Sequence, residues 1–183
     1  MNTSEAADRR TEPGWAQAVR AVLAAMRSGA FSPGDLAALR REHPEAPESP
    51  SFWRALAVYV EPLWPLPREP EAREHAETAW AVILSNMARL PEAGAHPATV
   101  LARTGYAELR FLRLLRSRGA ERARQVRAAV AFLSSKGVGF DWVPLAELLL
   151  ADPERSPEWA ERVRRDFARR FFNTLFESQN AST

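Results

Sequence analysis

Residues 156–176 read SPEWAERVRRDFARRFFNTLF. Ser156-Pro157 is a helix-start pair, with proline at the first helical position, where its missing N–H has no partner to lose. Beyond it Val163, Phe167 and Phe171 recur every four residues, one above the other on one side of an α-helix. Arg162, Arg165 and Arg169 recur at i, i+3 and i+7 and form a ridge outside that stripe. β-branched residues are few, while Ala, Leu, Arg and Glu dominate the chain. The stretch predicts an amphipathic helix over 157–176.

The same punctuation recurs upstream. Trp15, Val19, Val22, Leu23 and Met26 fall at helical spacing and stop at Gly29. Ser32-Pro33-Gly34-Asp35 is a capping box that opens a helix through Arg41, ending before Pro44. Ser49-Pro50 opens another, carrying Phe52, Trp53, Leu56 and Val60 as far as Pro62. Residues 61–70, EPLWPLPREP, hold four prolines and predict a stiff connector between two small lobes. A long helix over 71–90 follows, with Ala76, Trp80, Ile83, Leu84 and Met87 inward, then a loop at 91–97. Further helices are predicted near 98–103, 106–117, 120–135 and 142–151, the last capped by Asp141. Leu109, Leu112 and Leu115 are expected to face the core on one of these, and Val126, Val130 and Leu133 on the next. The expectation is an all-α bundle of about eight to nine helices. It has an N-terminal lobe at 11–90, a basic C-terminal lobe at 91–177, and tails at 1–10 and 178–183.

Composition narrows the function classes. The 183 residues are 46% hydrophobic and 26% charged, an ordinary globular balance. The longest apolar run, Ala79–Leu84, is far below the roughly 20 residues that span a bilayer. The opening MNTSEAADRR has no apolar stretch of the secretory kind. The absence of cysteine excludes disulfides and thiolate metal sites, and it fits a cytoplasmic location. No His-Glu-x-x-His or Glu-x-x-His spacing exists, and no glycine-rich phosphate loop follows a strand, so no metal or cofactor is expected. His43 and His96 each precede a proline, and His75 sits one turn after Glu71, which reads as a surface pair.

The charges are unevenly placed. Of the 25 basic residues 24 are arginine, Lys136 being the one lysine. Residues 1–100 carry 10 basic and 13 acidic side chains, whereas residues 103–136 carry nine basic and two acidic. Arg103, Arg110 and Arg113 fall within about 80° of one another if the helix there is continuous. Arg124 and Arg127 are expected to face outward on the next helix. Guanidinium groups bind phosphate bidentately, and rows at helical spacing can track a strand of phosphates. Nothing resembles a base-reading motif that combines Asn or Gln with these arginines, so backbone binding without sequence preference is expected. The alternative is that these arginines pair with Glu108, Glu158 or Glu161 and only solvate the fold.

Four segments in order resemble the small-subunit (CasB) family of the type I-E CRISPR surveillance complex, Cascade. They are GDLAALRREHPEAPESPSFWRAL at 34–56, LARTGYAELRFLRLLRSRG at 101–119, VRAAVAFLSSKGVGFDWVPLAELL at 126–149, and RVRRDFARRFF at 162–172. One departure is at His96-Pro97-Ala98-Thr99, where the family usually has Ser-Leu-Gly. The resemblance implies a non-catalytic all-helical subunit, present as a pair along an RNA-guided complex. It also implies, as partners, crRNA, the target and non-target DNA strands, the backbone repeat subunits and large subunit of Cascade, and a second copy of itself. Arg40, Arg41, Arg110 and Arg127 fall on basic positions of the family pattern, and Arg103, Arg113, Arg124 and Lys136 lie on the same charged segment. With Arg165 and Arg169 of the last helix these are the candidate nucleic-acid-binding residues. Trp15, Trp53, Trp64 and Trp142 could stack bases, although their spacing suits a core. Two other readings stay open: a helical adaptor whose arginines serve partner carboxylates, and a small arginine-lined all-α enzyme.

Overall fold

A computed structural model describes residues 12–90 and 93–180, so the expected tail at 1–10 lies outside the described residues. Among the described residues nine α-helices follow in order: α1 (Gly14–Arg27), α2 (Pro33–Arg41), α3 (Pro50–Ala55), α4 (Pro70–Met87), α5 (Pro97–Arg103), α6 (Glu108–Arg116), α7 (Gly119–Ser135), α8 (Trp142–Leu150) and α9 (Pro157–Asn180). The fold is an all-α bundle. Two hydrogen bonds join the loops before α5 and α8: the Ala93 N–H donates to the Phe140 carbonyl (3.0 Å) and the Asp141 N–H to the Ala95 carbonyl (2.8 Å).

The local signals act as their chemistry demands. Ser32 Oγ accepts from the Asp35 N–H (3.1 Å), while Asp35 accepts from the Ser32 N–H (2.9 Å), closing the capping box. Hydrogen bonds from Ser32 above all, then Ser51 and Arg54, hold the Asp35 carboxyl well below the usual range. Asp141 accepts from the Val143 N–H (3.0 Å) at the start of α8. Gly29 takes φ 80°, the left-handed conformation that lets Ala30 bond back to Ala25 and ends α1.

Helix α4 is the axis of the core. Every residue from Ala79 to Ala88 is buried, because α2, α7 and α8 cover its different sides. Helix α1 packs on α8, α5 on α9, and α6 on α7, so one apolar cluster runs through both halves of the chain. Trp80 and Trp142 are 0% exposed at its centre. Burying side chains of this size contributes about 1.5–3 kcal/mol each, even before cavity costs are counted. The proline-rich stretch 61–70 lies against the helices. Leu66 is buried, the Trp64 ring sits 6.4 Å from that of Trp80, and a Cβ on Gly14 would strike the Leu63 carbonyl.

Three expectations change. Leu109 is 80% exposed, and the core side of α6 is Phe111, Leu114 and Leu115. The chain turns between Thr104 and Ala107, with Gly105 at φ 77°, so the helical phase restarts at Glu108. Phe111 fixes the new phase by stacking on Phe171, ring centroids 3.8 Å apart and planes 7° from parallel. The helix opened at Pro50 widens into a π-turn at Leu56–Val60, where the Glu61 N–H reaches back five residues to Leu56 (2.9 Å). At the other end α9 runs through Asn180, into the expected tail.

Candidate nucleic-acid interface

The basic segment folds into the end of α5, the whole of α6 and the length of α7. Arg103 is the last residue of α5; Arg110, Arg113 and Arg116 lie on α6. All four are exposed, and none has a carboxylate within 4.0 Å among the described residues. At 100° per residue Arg110, Arg113 and Arg116 sweep about 120° of α6, opposite the arc of Phe111, Leu114 and Leu115. The break before Ala107 removes Arg103 from that helical row; it is the turn, not helix phase, that sets its position.

Helix α7 brings more cations alongside. The Tyr106 and Phe132 rings meet at 5.2 Å, and Lys136 Nζ lies 5.7 Å from the Phe132 ring centre. Burial raises the Tyr106 hydroxyl, and the charges of Arg110 and Arg113 oppose that rise. Lys136 therefore lies at the Tyr106–Phe132 contact. Arg124 is two-thirds exposed but holds Glu121 with both Nε (2.9 Å) and Nη2 (2.7 Å). The Glu121 carboxylate is held low, first by the Gln125 hydrogen bond and then by Arg124, with Arg113 adding to the effect.

Arg40 and Arg127 are placed differently. Arg40 Nε donates to the Ala88 carbonyl at the end of α4 (2.6 Å), and Arg89 donates back to the Arg40 carbonyl at the end of α2. Arg127 Nη2 donates to Glu42, the residue that caps α2 (2.8 Å). Each arginine satisfies a carbonyl left without a helical partner. Arg127 is half-buried, and burial with the nearby Arg89 charge lowers its pKa. Arg41, beside them, is exposed and makes no bond among the described residues. The expectation that Arg127 faces freely outward is thus corrected, since its head group is turned to α2.

The α9 ridge carries mixed charge. Arg165 pairs with Glu161 (2.8 Å), Arg162 with Glu147 (3.6 Å) and Arg170 with Asp166 (2.8 Å), leaving Arg169 unpaired among the described residues. The bond from Arg165 is the first cause holding Glu161 low. A ridge neutralised in this way projects a weaker field than α6.

Sequence reasoning did not single out Arg116, although its i+3 spacing from Arg113 was the signal. It also passed over Arg122, which is 5% exposed and donates to the Ser117 (3.0 Å) and Leu148 (3.1 Å) carbonyls. Trp15 and Trp142 are buried, Trp64 is half-buried, and Trp53 is 42% exposed. Among the described residues no group of three His, Asp or Glu side chains could hold a metal, and no helix is long and apolar enough to cross a membrane.

The family described as CRISPR-associated protein Cse2 matches residues 35–172, well over half of the chain and inclusive of α2 through most of α9. No curated protein and no solved structure matches it. The matched span begins at Asp35 and holds the α5–α7 basic surface and the Asp141-Trp142 helix start. On that match the chain belongs to the Cse2 (CasB) family and is a subunit of the type I-E CRISPR Cascade complex.

Proposed function

We propose that this subunit serves Cascade by holding nucleic-acid backbone on its α5–α7 surface. It contacts the guide and target strands and steadies the displaced strand of the R-loop, alongside the repeat and large subunits and a second copy of itself. One observation carries the reading: Arg103, Arg110, Arg113 and Arg116 are exposed with no carboxylate partner among the described residues, whereas Arg54, Arg73 and Arg155 are paired. Unpaired guanidiniums on one surface have their charge available for phosphate. Arg124, Arg165, Arg169, Arg41 and Lys136 extend the field. The one amide beside the row, Gln125, is tied to Glu121 (2.6 Å), so nothing there reads a base edge. The work is positioning and electrostatic, with no step for an acid, base or nucleophile.

Exchange of a DNA duplex for a guide–target duplex is nearly balanced in energy, so a few backbone contacts can tip it. The test is binding of labelled single-stranded DNA to the purified subunit across a salt series. Log K should fall linearly with log salt, and each of the α6 arginines replaced by Ala should flatten the slope by about 0.7. An affinity indifferent to salt, or one confined to a single sequence, contradicts the reading.

A further inference from the structure

A cavity of about 430 Å³ opens between α4, the start of α7 and the end of α8, away from the α6 row. Its volume lies in the range of about 300–1,000 Å³ common for small-molecule sites. One side is apolar, with Val82 and Leu149; the other presents His75, Arg118, Gly119 and Arg122, and the carboxylates of Glu71, Asp152 and Glu154 also line it.

None of these carboxylates pairs with Arg118 or Arg122 among the described residues. Arg122 is 5% exposed and has no carboxylate partner; two of its nitrogens bond carbonyls, and Nη2 makes no hydrogen bond. A buried guanidinium without an anion is costly, because carbonyl dipoles replace only part of its lost hydration. Burial, followed by the like charges of Arg164 and Arg118, pulls Arg122 down to about 10, with only Asp152 opposing. Asp152 is engaged by Arg155 (3.6 Å), which also holds Glu69 and Glu71 (3.4 Å). Arg118 is exposed and has no carboxylate partner among the described residues. His75 Nε2 is buried and has no hydrogen-bond partner. Helix α7 starts at Gly119 with no side-chain cap, so its first N–H groups and the positive end of its dipole point at the same place. A buried charge, an orphaned imidazole nitrogen and an uncapped helix of 17 residues meet at one cavity.

We propose that this cavity binds a phosphomonoester: the phosphate sits among His75, Arg118, Arg122 and the first N–H groups of α7, and the group attached to it lies against Val82 and Leu149. The same chemistry is offered by a free mononucleotide and by the 5′-phosphate end of a strand. This site is separate from the open α6 row, so it stands or falls independently of backbone binding there.

The test uses the whole chain and AMP as the probe, with the thermal midpoint read at constant ionic strength against chloride. At AMP tenfold above its Kd the midpoint should rise by about 3–6 °C. Arg118→Ala, an exposed change that opens no core cavity, should abolish the rise, as should His75→Leu. Arg68→Ala, on the connector, should leave it intact. Calorimetric titration of AMP should give one site per chain in the wild type and none in Arg118→Ala. Competition then identifies the source: displacement of AMP by a 5′-phosphorylated oligonucleotide but not by its 5′-hydroxyl form assigns the site to a strand end. Displacement by neither assigns it to a free nucleotide. An unmoved midpoint with no calorimetric binding overturns the proposal, as does an Arg118→Ala variant that responds like the wild type.

Discussion

Arg127 Nη2 donates a 2.8 Å hydrogen bond to the Glu42 carbonyl, 85 positions earlier in the chain. The bond ties α7 to the cap of α2, where the Glu42 side chain is itself buried and accepts from the Glu48 N–H (2.9 Å). Removing the guanidinium leaves the carbonyl partnerless in a half-buried place. Hydrogen bonds to charged groups contribute about 1.5–3 kcal/mol. Arg127→Ala should therefore lower the thermal midpoint by about 3–12 °C. Arg110→Ala should move it by no more than about 2 °C, as expected for surface positions. Equal shifts for the two variants would contradict the division of the arginines into structural and exposed sets.

Glu121 is the one carboxylate that occupies the basic surface of α7, holding Arg124 and Gln125 together. Glu121→Gln removes that ion pair and frees a guanidinium that is already two-thirds exposed. Affinity for single-stranded DNA should rise several-fold at low salt, and the salt slope should steepen by about 0.7. An unchanged slope would mean that Arg124 points away from the bound strand.

His96 should make the fold acid-sensitive above the carboxylate range. Its Nδ1 accepts from the Ala98 N–H (3.2 Å) as the cap of α5, and its ring meets Phe167 edge-on at 4.7 Å. Burial chiefly, with the Arg170 charge next, pulls its pKa to about 4, against 6.5 for the free group. The unfolded chain then binds the proton more readily, so stability is full above about pH 6.5 and falls as pH drops toward 4. At pH 5 the loss is about 2 kcal/mol, or about 4–8 °C in midpoint. His96→Asn keeps a capping acceptor without the titration and should flatten the midpoint between pH 7 and 5. A wild-type midpoint constant over that interval contradicts this role.

What the sequence made legible was local. Ser32 with Asp35, Asp141, and Gly29 each act on backbone within a few residues, and each does what its spacing implies. The α6 register was not legible, because Leu109 and Phe111 are both apolar and only the stacking partner Phe171, 60 positions on, chooses between them. The same holds for arginine. Arg110, Arg122 and Arg127 are alike in sequence, yet Arg122 and Arg127 find carbonyls at Leu148 and Glu42 that no spacing rule reveals. Charge density marked a segment; which of its members are exposed came only with the fold. His96, dismissed for its proline neighbour, caps a helix because of that neighbour, since Pro97 begins α5.

The central claim is that the unpaired arginines of α6 tip R-loop formation. The decisive measurement is R-loop yield by reconstituted Cascade at fixed supercoiling, with the subunit carrying Arg110→Ala, Arg113→Ala and Arg116→Ala together. These three avoid the pin at Arg127, so the variant should melt within a few degrees of wild type. A loss of about 1.4 kcal/mol in total is a tenfold change in equilibrium, so the open fraction should fall several-fold, while Arg68→Ala opens DNA normally. A triple variant that assembles, melts normally and forms R-loops at the wild-type yield would contradict the account.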